Sequence, residues 1–355
     1  MESLMTPEEL VANIKQGELI EKEDFSGADL SGLELAGGIF DEVSFAEANL
    51  AGATLKESIF NNVDFSGADL TNTNLHLTVI NESKAIGIIF NNARLVNTKL
   101  YRIECSNSYF QAADCTDAVI AECDLSGSDL AAANLHKTLF NQCDTGNINL
   151  RDANCEQAIF IDVNLAEAEV RGANFRQALL INANLSGKRL QGMDFSMAML
   201  RGSYLSGVDL TGADVTQANF MESNLSGARL DSVKGQYAIF MNSTMEKTSM
   251  KKAYLLQSCF DGARLSLADL SGTELESSIF NNAICRGTRF VNANLTYCDF
   301  SHADVSGADM TRANLMRTKF HRTILEHTTW TGANRQAALG TDPEVAAAED
   351  WIPVL

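Results

Sequence analysis

Large apolar residues recur at every fifth position of this chain. Read in fives from Phe25, the sequence runs FSGAD LSGLE LAGGI FDEVS FAEAN LAGAT, with the large residue at 25, 30, 35, 40, 45 and 50. The phase holds to Trp330 without an insertion or deletion, which makes 62 units. All 18 phenylalanines sit on multiples of five. The exceptions at this position are Ala85, Cys105, Cys115, Thr145, Cys155, Gly235 and Cys285. Two residues earlier the side chain is nearly always small, as at Ala28, Ala48, Ala68, Ala173 and Ala213, with Lys188 and Met193 departing. The position between is often Asp or Asn. A period of five fits neither a helix at 3.6 nor a flat strand at 2. It fits one short side of a polygon, on which the large residue and the small one two before it both point inward. Of 24 glycines, 19 fall on the second position after the large residue, from Gly27 to Gly332, where a corner needs positive φ. Pro7, Pro343 and Pro353 all lie outside the repeat. Their exclusion is expected if each side donates its backbone N–H to a coil-to-coil ladder.

The recurring unit A(D/N)LSG resembles the pentapeptide-repeat family, and the resemblance covers about 300 of the 355 residues. It implies an all-β solenoid, a right-handed quadrilateral β-helix with four pentapeptides per coil. A second periodicity tests the four-sided reading, because four sides of five residues stack positions 20 apart. The column from Phe40 reads Phe40, Phe60, Ile80, Leu100, Ile120, Phe140, Phe160, Leu180, Leu200 and then Phe at 220, 240, 260, 280, 300 and 320. Ten of the 18 phenylalanines therefore lie on one of four walls. At the inter-strand spacing of ~4.8 Å, 62 sides predict a rod roughly 75 Å long.

Open coils template aggregation, so both ends are expected to be capped. The order is an N-terminal helical cap over 1–20, the β-helix over 21–335, and a C-terminal cap or tail over 336–355. Thr6-Pro7-Glu8-Glu9 predicts a capping box opening a helix from Pro7 to Gln16, stopped by Gly17, with Leu10, Val11 and Ile14 on the first coil. Asp342-Pro343-Glu344 predicts a second short helix, with Trp351, Ile352, Val354 and Leu355 packing back.

The net charge of -19 argues against a general nucleic-acid binder, which needs basic surface to displace counterions. No run of 18 apolar residues predicts a transmembrane helix, and the acidic opening lacks the features of a signal peptide. A bacterial, cytoplasmic location is expected. Cys105, Cys115, Cys155 and Cys285 take the large inward position, and Cys123, Cys143 and Cys298 the small one, so these are expected to be reduced core thiols. His76, His136, His302, His321 and His327 all fall at outward or corner phases. His302 and His321 are 19 apart and should be neighbours on adjacent coils. A two-histidine site with one carboxylate is the sharper reading of that pair, but a zinc site wants three or four ligands. No metal or cofactor is expected. No nucleophilic triad, phosphate loop or HExxH is present, and an unbroken repeat leaves no long loop to carry catalysis, so no enzyme is expected.

One face departs from the rest. The outward position before the phenylalanine column reads Ile39, Ile59, Val79, Lys99, Val119, Leu139, Ile159, Leu179, Met199, Asn219, Ile239, Cys259 and Ile279. The position after it adds Ile161, Ile181, Met221 and Met241. On the other faces the equivalent site is mostly Asp, Asn, Glu or Arg. A contiguous apolar stripe of this kind, densest from Val119 to Met241, marks an interaction face. The expected function is a non-enzymatic scaffold that presents this face to a protein partner or to itself. The opening MTPEELVANIKQGE followed by FSGADLSG is similar to pentapeptide proteins encoded beside bacterial type VI secretion systems, which implies a role in effector loading. The alternative is an acidic DNA mimic that modulates DNA gyrase or another topoisomerase, as the resemblance to some family members implies. Against it, 169, 189, 209 and 229 read Glu, Arg, Asp, Arg, so charges alternate along a column instead of forming a negative track.

Overall fold

A computed structural model describes residues 5–351. The chain forms two compact units, Met1–Leu179 and Leu180–Leu355. In the first unit, three-residue strands recur every 20 residues, from β1 (Leu19–Glu21) and β2 (Ile39–Asp41) to β8 (Ile159–Ile161). They pair in parallel with a constant offset of 20: Ile20 faces Phe40, Phe40 faces Phe60, and Phe140 faces Phe160. The other three sides are single-residue bridges with the same offset, Asp24 to Ser44, Asp29 to Asn49 and Glu34 to Thr54. Four bridges per 20 residues make each coil a square. The second unit repeats the square, with Asn184 to Tyr204, Arg189 to Asp209, Asp194 to Asp214 and Met199 to Asn219.

The backbone satisfies itself along the stack. The N–H groups of Phe25, Leu30 and Leu35 donate to the carbonyls of Ser44, Asn49 and Thr54 one coil on, each at 2.8 Å. At the corner, Gly27 N–H donates to Ala46 O at 2.8 Å, and Ala28 N–H closes back on Phe25 O at 3.0 Å. A proline at any of these positions would leave an acceptor orphaned. The Asp or Asn before the large residue fastens the same corner. Asp24 accepts from Ser26 N–H at 2.9 Å and Asp69 from Thr71 N–H at 2.9 Å, an Asx turn.

Both inward phases are largely buried, with Ala28, Leu33, Lys188 and Met193 half-buried. Phe40, Phe60, Leu75 and Phe140 in the first unit, and Phe220, Phe260 and Leu295 in the second, are all fully buried. Rings one coil apart stack nearly parallel, Phe40 on Phe60 at 4.6 Å and Phe280 on Phe300 at 4.6 Å. Where the small inward position is Ser or Thr, its hydroxyl often reaches the preceding coil, while Ser223 and Ser243 donate to Phe220 O and Phe240 O in their own coil. Thr78 donates to Leu55 O at 2.6 Å, Thr98 to Leu75 O at 2.7 Å and Thr318 to Leu295 O at 2.8 Å. These hydroxyls are core residues with their hydrogen bonds made, which size alone does not foretell.

Helix α1 (Pro7–Gln16) has the expected cap. Glu9 N–H donates to Thr6 Oγ1 at 3.2 Å, Thr6 N–H donates to Glu9 Oε2 at 2.8 Å, and Gly17 ends the helix at φ 75°. Leu10 and Ile14 are buried on the first coil, while Val11 is only half-buried. Gly38 makes this docking fit, because a Cβ there would lie 3.3 Å from Ile14 Cδ1 and 2.5 Å from the Phe40 ring.

The other terminus behaves differently. Trp330 is half-buried, edge-on to Phe320 at 5.6 Å, with the Arg335 guanidinium 4.8 Å from its ring centre. The chain then continues to Leu339, which bridges to Lys319. Helix α2 (Pro343–Glu349) starts at Asp342, whose carboxylate accepts from Glu344 N–H at 2.9 Å, and it buries no residue. The expected packing of Trp351 is corrected, since that side chain is 69% exposed. Ile352, Val354 and Leu355 lie outside the described residues.

Candidate functional site

The apolar stripe is aligned by the constant offset of 20. In the first unit, Leu19 is 52% exposed, Ile39 41% and Ile59 37%. Val79, Val119, Leu139, Ile159, Ile161 and Leu179 are half-buried, and Lys99 interrupts the row. In the second unit, Met199 and Ile279 are exposed, and Ile181, Met221, Ile239, Met241 and Cys259 are half-buried. Phe160, Leu180 and Phe240 point inward and are buried. The stripe residues thus lie outside the core, but those between Val119 and Met241 are not the most exposed. In-register stacking lays each branched side chain against its neighbours one coil away, and Leu19, which begins the row, is the most exposed.

The charged columns pair between coils. Arg102 reaches Glu82 at 2.5 Å and Arg176 approaches Glu156 at 3.9 Å in the first unit. Arg201–Glu222, Arg264–Glu246 and Lys319–Asp299 do the same in the second, at 3.2, 3.1 and 3.3 Å. Such exposed pairs add little stability. Their consequence is that negative charge is neutralised locally despite the net -19.

All eight cysteines are free thiols, and only Cys259 is not buried. Burial pushes the Cys115 thiol up to about 12, with Asp114 adding to the effect. The neighbouring Cys143 thiol, with burial, raises Cys123 further. Thiols kept protonated in this way are poor nucleophiles.

One polar cluster was only half legible in the sequence. Glu349, the last residue of α2, places Oε1 3.1 Å from His302 Nε2 and Oε2 3.2 Å from His321 Nε2. The two imidazoles sit on adjacent coils, 5.5 Å apart and inclined at 73°. Arg322 Nε lies 2.9 Å from Glu349 Oε2, and its Nη2 donates to Ala346 O at 2.7 Å and reaches Asp350 at 2.5 Å. Hydrogen bonding from His321, with His302 adding to it, holds the Glu349 carboxyl below the usual carboxylate range. His321, expected at the surface, is 7% exposed because the 338–349 arm folds over it. Its Nδ1 accepts from Asp342 N–H at 3.1 Å, so Nε2 carries the proton and donates to Glu349. The cluster opens into a groove of about 990 Å³ that Asp299, Lys319 and Leu339 also line. The pairing of His302 with His321 follows from their 19-residue spacing. Glu349 follows from nothing periodic, because it lies beyond the repeat.

Among the described residues, no helix is long and apolar enough to cross a membrane. No curated protein matches the chain. Among solved structures it is similar to HetL, a pentapeptide repeat protein involved in heterocyst differentiation regulation in the cyanobacterium Nostoc, at 15% identity over 94% of this chain and 97% of that one, with a TM-score of 0.26. It is similar to trypsin-treated QnrB1, a plasmid-mediated fluoroquinolone resistance protein, at 20% identity over 56% of this chain and 89% of that one, with a TM-score of 0.33. It also matches a pentapeptide repeat protein of the Arabidopsis thaliana thylakoid lumen at 23% identity, over 37% of this chain and 70% of that one, with a TM-score of 0.17. Overlaps this low carry no functional argument. The family model described as pentapeptide repeats is decisive, since its overlapping matches cover 24–76, 88–144, 146–234 and 258–332. With well over half of its length matched, and with four sides of five residues in every coil, the chain belongs to the pentapeptide-repeat family.

Proposed function

We propose that this protein is a non-enzymatic scaffold whose apolar face binds a protein partner or a second copy of itself. The observation that carries the reading is the stripe. In the first unit it follows one wall and keeps Leu19, Ile39 and Ile59 in solvent while the inner core is complete without them. Apolar surface left in water costs roughly 25 cal/mol per Å², so covering the row stabilises any complex that does so. The resemblance of the opening segment to proteins encoded beside type VI secretion systems favours a bacterial cytoplasmic partner of the effector class.

A second reading, an acidic mimic of DNA acting on a topoisomerase, draws on the net charge of -19. The cross-coil pairs that neutralise Glu82, Glu156, Glu222 and Glu246 speak against it.

The double substitution Ile159→Asp with Leu179→Asp separates fold from function. It should leave the melting temperature within a few degrees of the parent, because both residues lie outside the core. It should abolish self-association seen by light scattering, or partner retention in a pull-down, since burying two carboxylates is costly. Unchanged association would move the binding face elsewhere. Inhibition of DNA gyrase supercoiling that survives the double substitution would favour the second reading.

A further inference from the structure

The cluster of His302, His321 and Glu349 lies on the wall of the second unit that carries Met221, Met241 and Ile279, beyond the last apolar residue of that row, and plays no part in the scaffold reading. Its ligand atoms all fall within 4.8 Å of one another. A tetrahedral ion with bonds of about 2.0–2.1 Å holds its ligand atoms about 3.3 Å apart. The contact of Oε1 with His302, at 3.1 Å, is already near that edge, and His321 lies 3.2 Å from the other oxygen of the same carboxylate. Both Nε2 atoms face the one carboxylate of Glu349, so the two rings, inclined at 73°, converge on a single point.

We propose that His302 Nε2, His321 Nε2 and Glu349 bind one zinc-class divalent ion, and that this ion fastens the C-terminal arm to the last coils of the second unit. Two imidazoles and one carboxylate form a nitrogen-rich set that suits zinc and its neighbours and is unsuited to calcium or magnesium, which take oxygen cages. Glu349 Oε1 is the oxygen for the metal. Oε2 stays beside the Arg322 guanidinium, 2.9 Å from its Nε, an ion pair that holds the carboxylate in place. Three protein ligands leave a fourth position, which water from the adjoining groove can fill.

The arm has reason to need such a fastening. Helix α2 buries no side chain fully, and polar contacts from His302, His321 and Arg322 reach its last turn. A shared ion would tie its last residue to two successive coils. Loading has an identifiable cost. Coordination uses the Nε2 lone pair of His321, so the ring proton must move to Nδ1, where the Asp342 N–H now points. Asp342 must therefore turn its amide away, and Gly340 lies two residues before it in the same segment.

The test is titration of the full chain, stripped of metal, with zinc against a chromophoric chelator. One equivalent should bind. His302→Ala, His321→Ala and Glu349→Gln should each weaken binding at least about tenfold, while His136→Ala should not. Amide hydrogen exchange over 342–350 should slow with zinc in the parent and not in Glu349→Gln, and the Asp342 amide should change its environment. Melting without zinc should show all the variants folded. Three results would each overturn the proposal: no stoichiometric zinc, equal affinity in the parent and His302→Ala, or full affinity in Glu349→Gln.

Discussion

Vacancies at the large inward position show how single residues are read by their neighbours. Gly235 and Ala85 both lack a large side chain there, and the two sites respond differently. At Gly235 the space is taken, since a Cβ would meet Leu255 Cδ2 at 2.6 Å and Val215 Cγ2 at 3.0 Å. Around Ala85 an apolar cavity of about 10 Å³ remains, lined in part by Phe65, Ile80, Phe90 and Cys105. That is barely room for one water, and apolar walls give water no partner. Ala85→Val should therefore stabilise the first unit, by about 1 kcal/mol for the added buried methyl groups. The check is an upward shift of the denaturant midpoint; a downward shift would mean that the walls are already close-packed. Corner residues obey a different rule. Gly172 has φ 76°, and a Cβ there would sit 2.1 Å from the present position of Asp152 Oδ1, whereas Leu267 holds φ 61° with its side chain in solvent. The corner demands positive φ, which glycine adopts freely, and the crowding at Gly172 comes from the side-chain end of Asp152 on the preceding coil.

At the scale of the element, one side of a coil is too short to be stable alone and acquires its structure from the sides above and below. The phenylalanine wall is the strongest case. Phe140 and Phe160 stack at 4.9 Å with an interplanar angle of 2°, and Phe160 is also 6.1 Å from Phe175 around the corner. Phe160→Ala removes ring contacts on two sides and should cost roughly 3–5 kcal/mol. Chemical denaturation of the purified variant measures it, and a neutral result would contradict the inward placement of this phase. The two helices contrast at the same scale. Helix α1 buries Leu10 and Ile14, so its capping box secures an apolar lid. Helix α2 buries no side chain fully, and polar contacts from Arg322, His302 and His321 reach its last turn.

At the scale of the whole molecule, two electrostatic effects oppose each other as pH falls. Lowering pH from 7 titrates exposed carboxylates and relieves the repulsion of a chain carrying -19. The corner aspartates work the other way. At Asp304, burial opposes ionisation, but hydrogen bonds from Ser306 and Arg286 outweigh it and hold the carboxyl below the ordinary 3.8. Asp209, Asp269 and Asp299 are lowered similarly, with burial again opposing and Thr211, Ser271 and Ser301 prevailing. A depressed carboxyl contributes stability that is present above its unfolded value and lost as pH falls through its folded value. The melting temperature should therefore hold or rise between pH 7 and about 5, then fall steeply below about pH 4. A melting series in buffers of constant ionic strength tests this, and a steady decline from pH 7 would show that the corner carboxylates are not the controlling groups.

The sequence by itself determined the coil. A strict period of five fixed which side chains face inward, and the recurrence of Phe at 40, 60, 140 and 160 fixed the offset of 20, because identical residues stack only in that register. Corner glycines and the α1 capping box were legible for the same reason: each rests on residues within five positions of one another. The tertiary structure alone decided what depends on neighbours far along the chain. It closed the space at Gly235 and left it open at Ala85, it shielded Ile159 and Leu179 by stacking while Leu19 stayed exposed, and it laid Glu349 across His302 and His321. A period specifies where a side chain points, but not how far its neighbours lean over it, nor where a segment outside the period comes to rest.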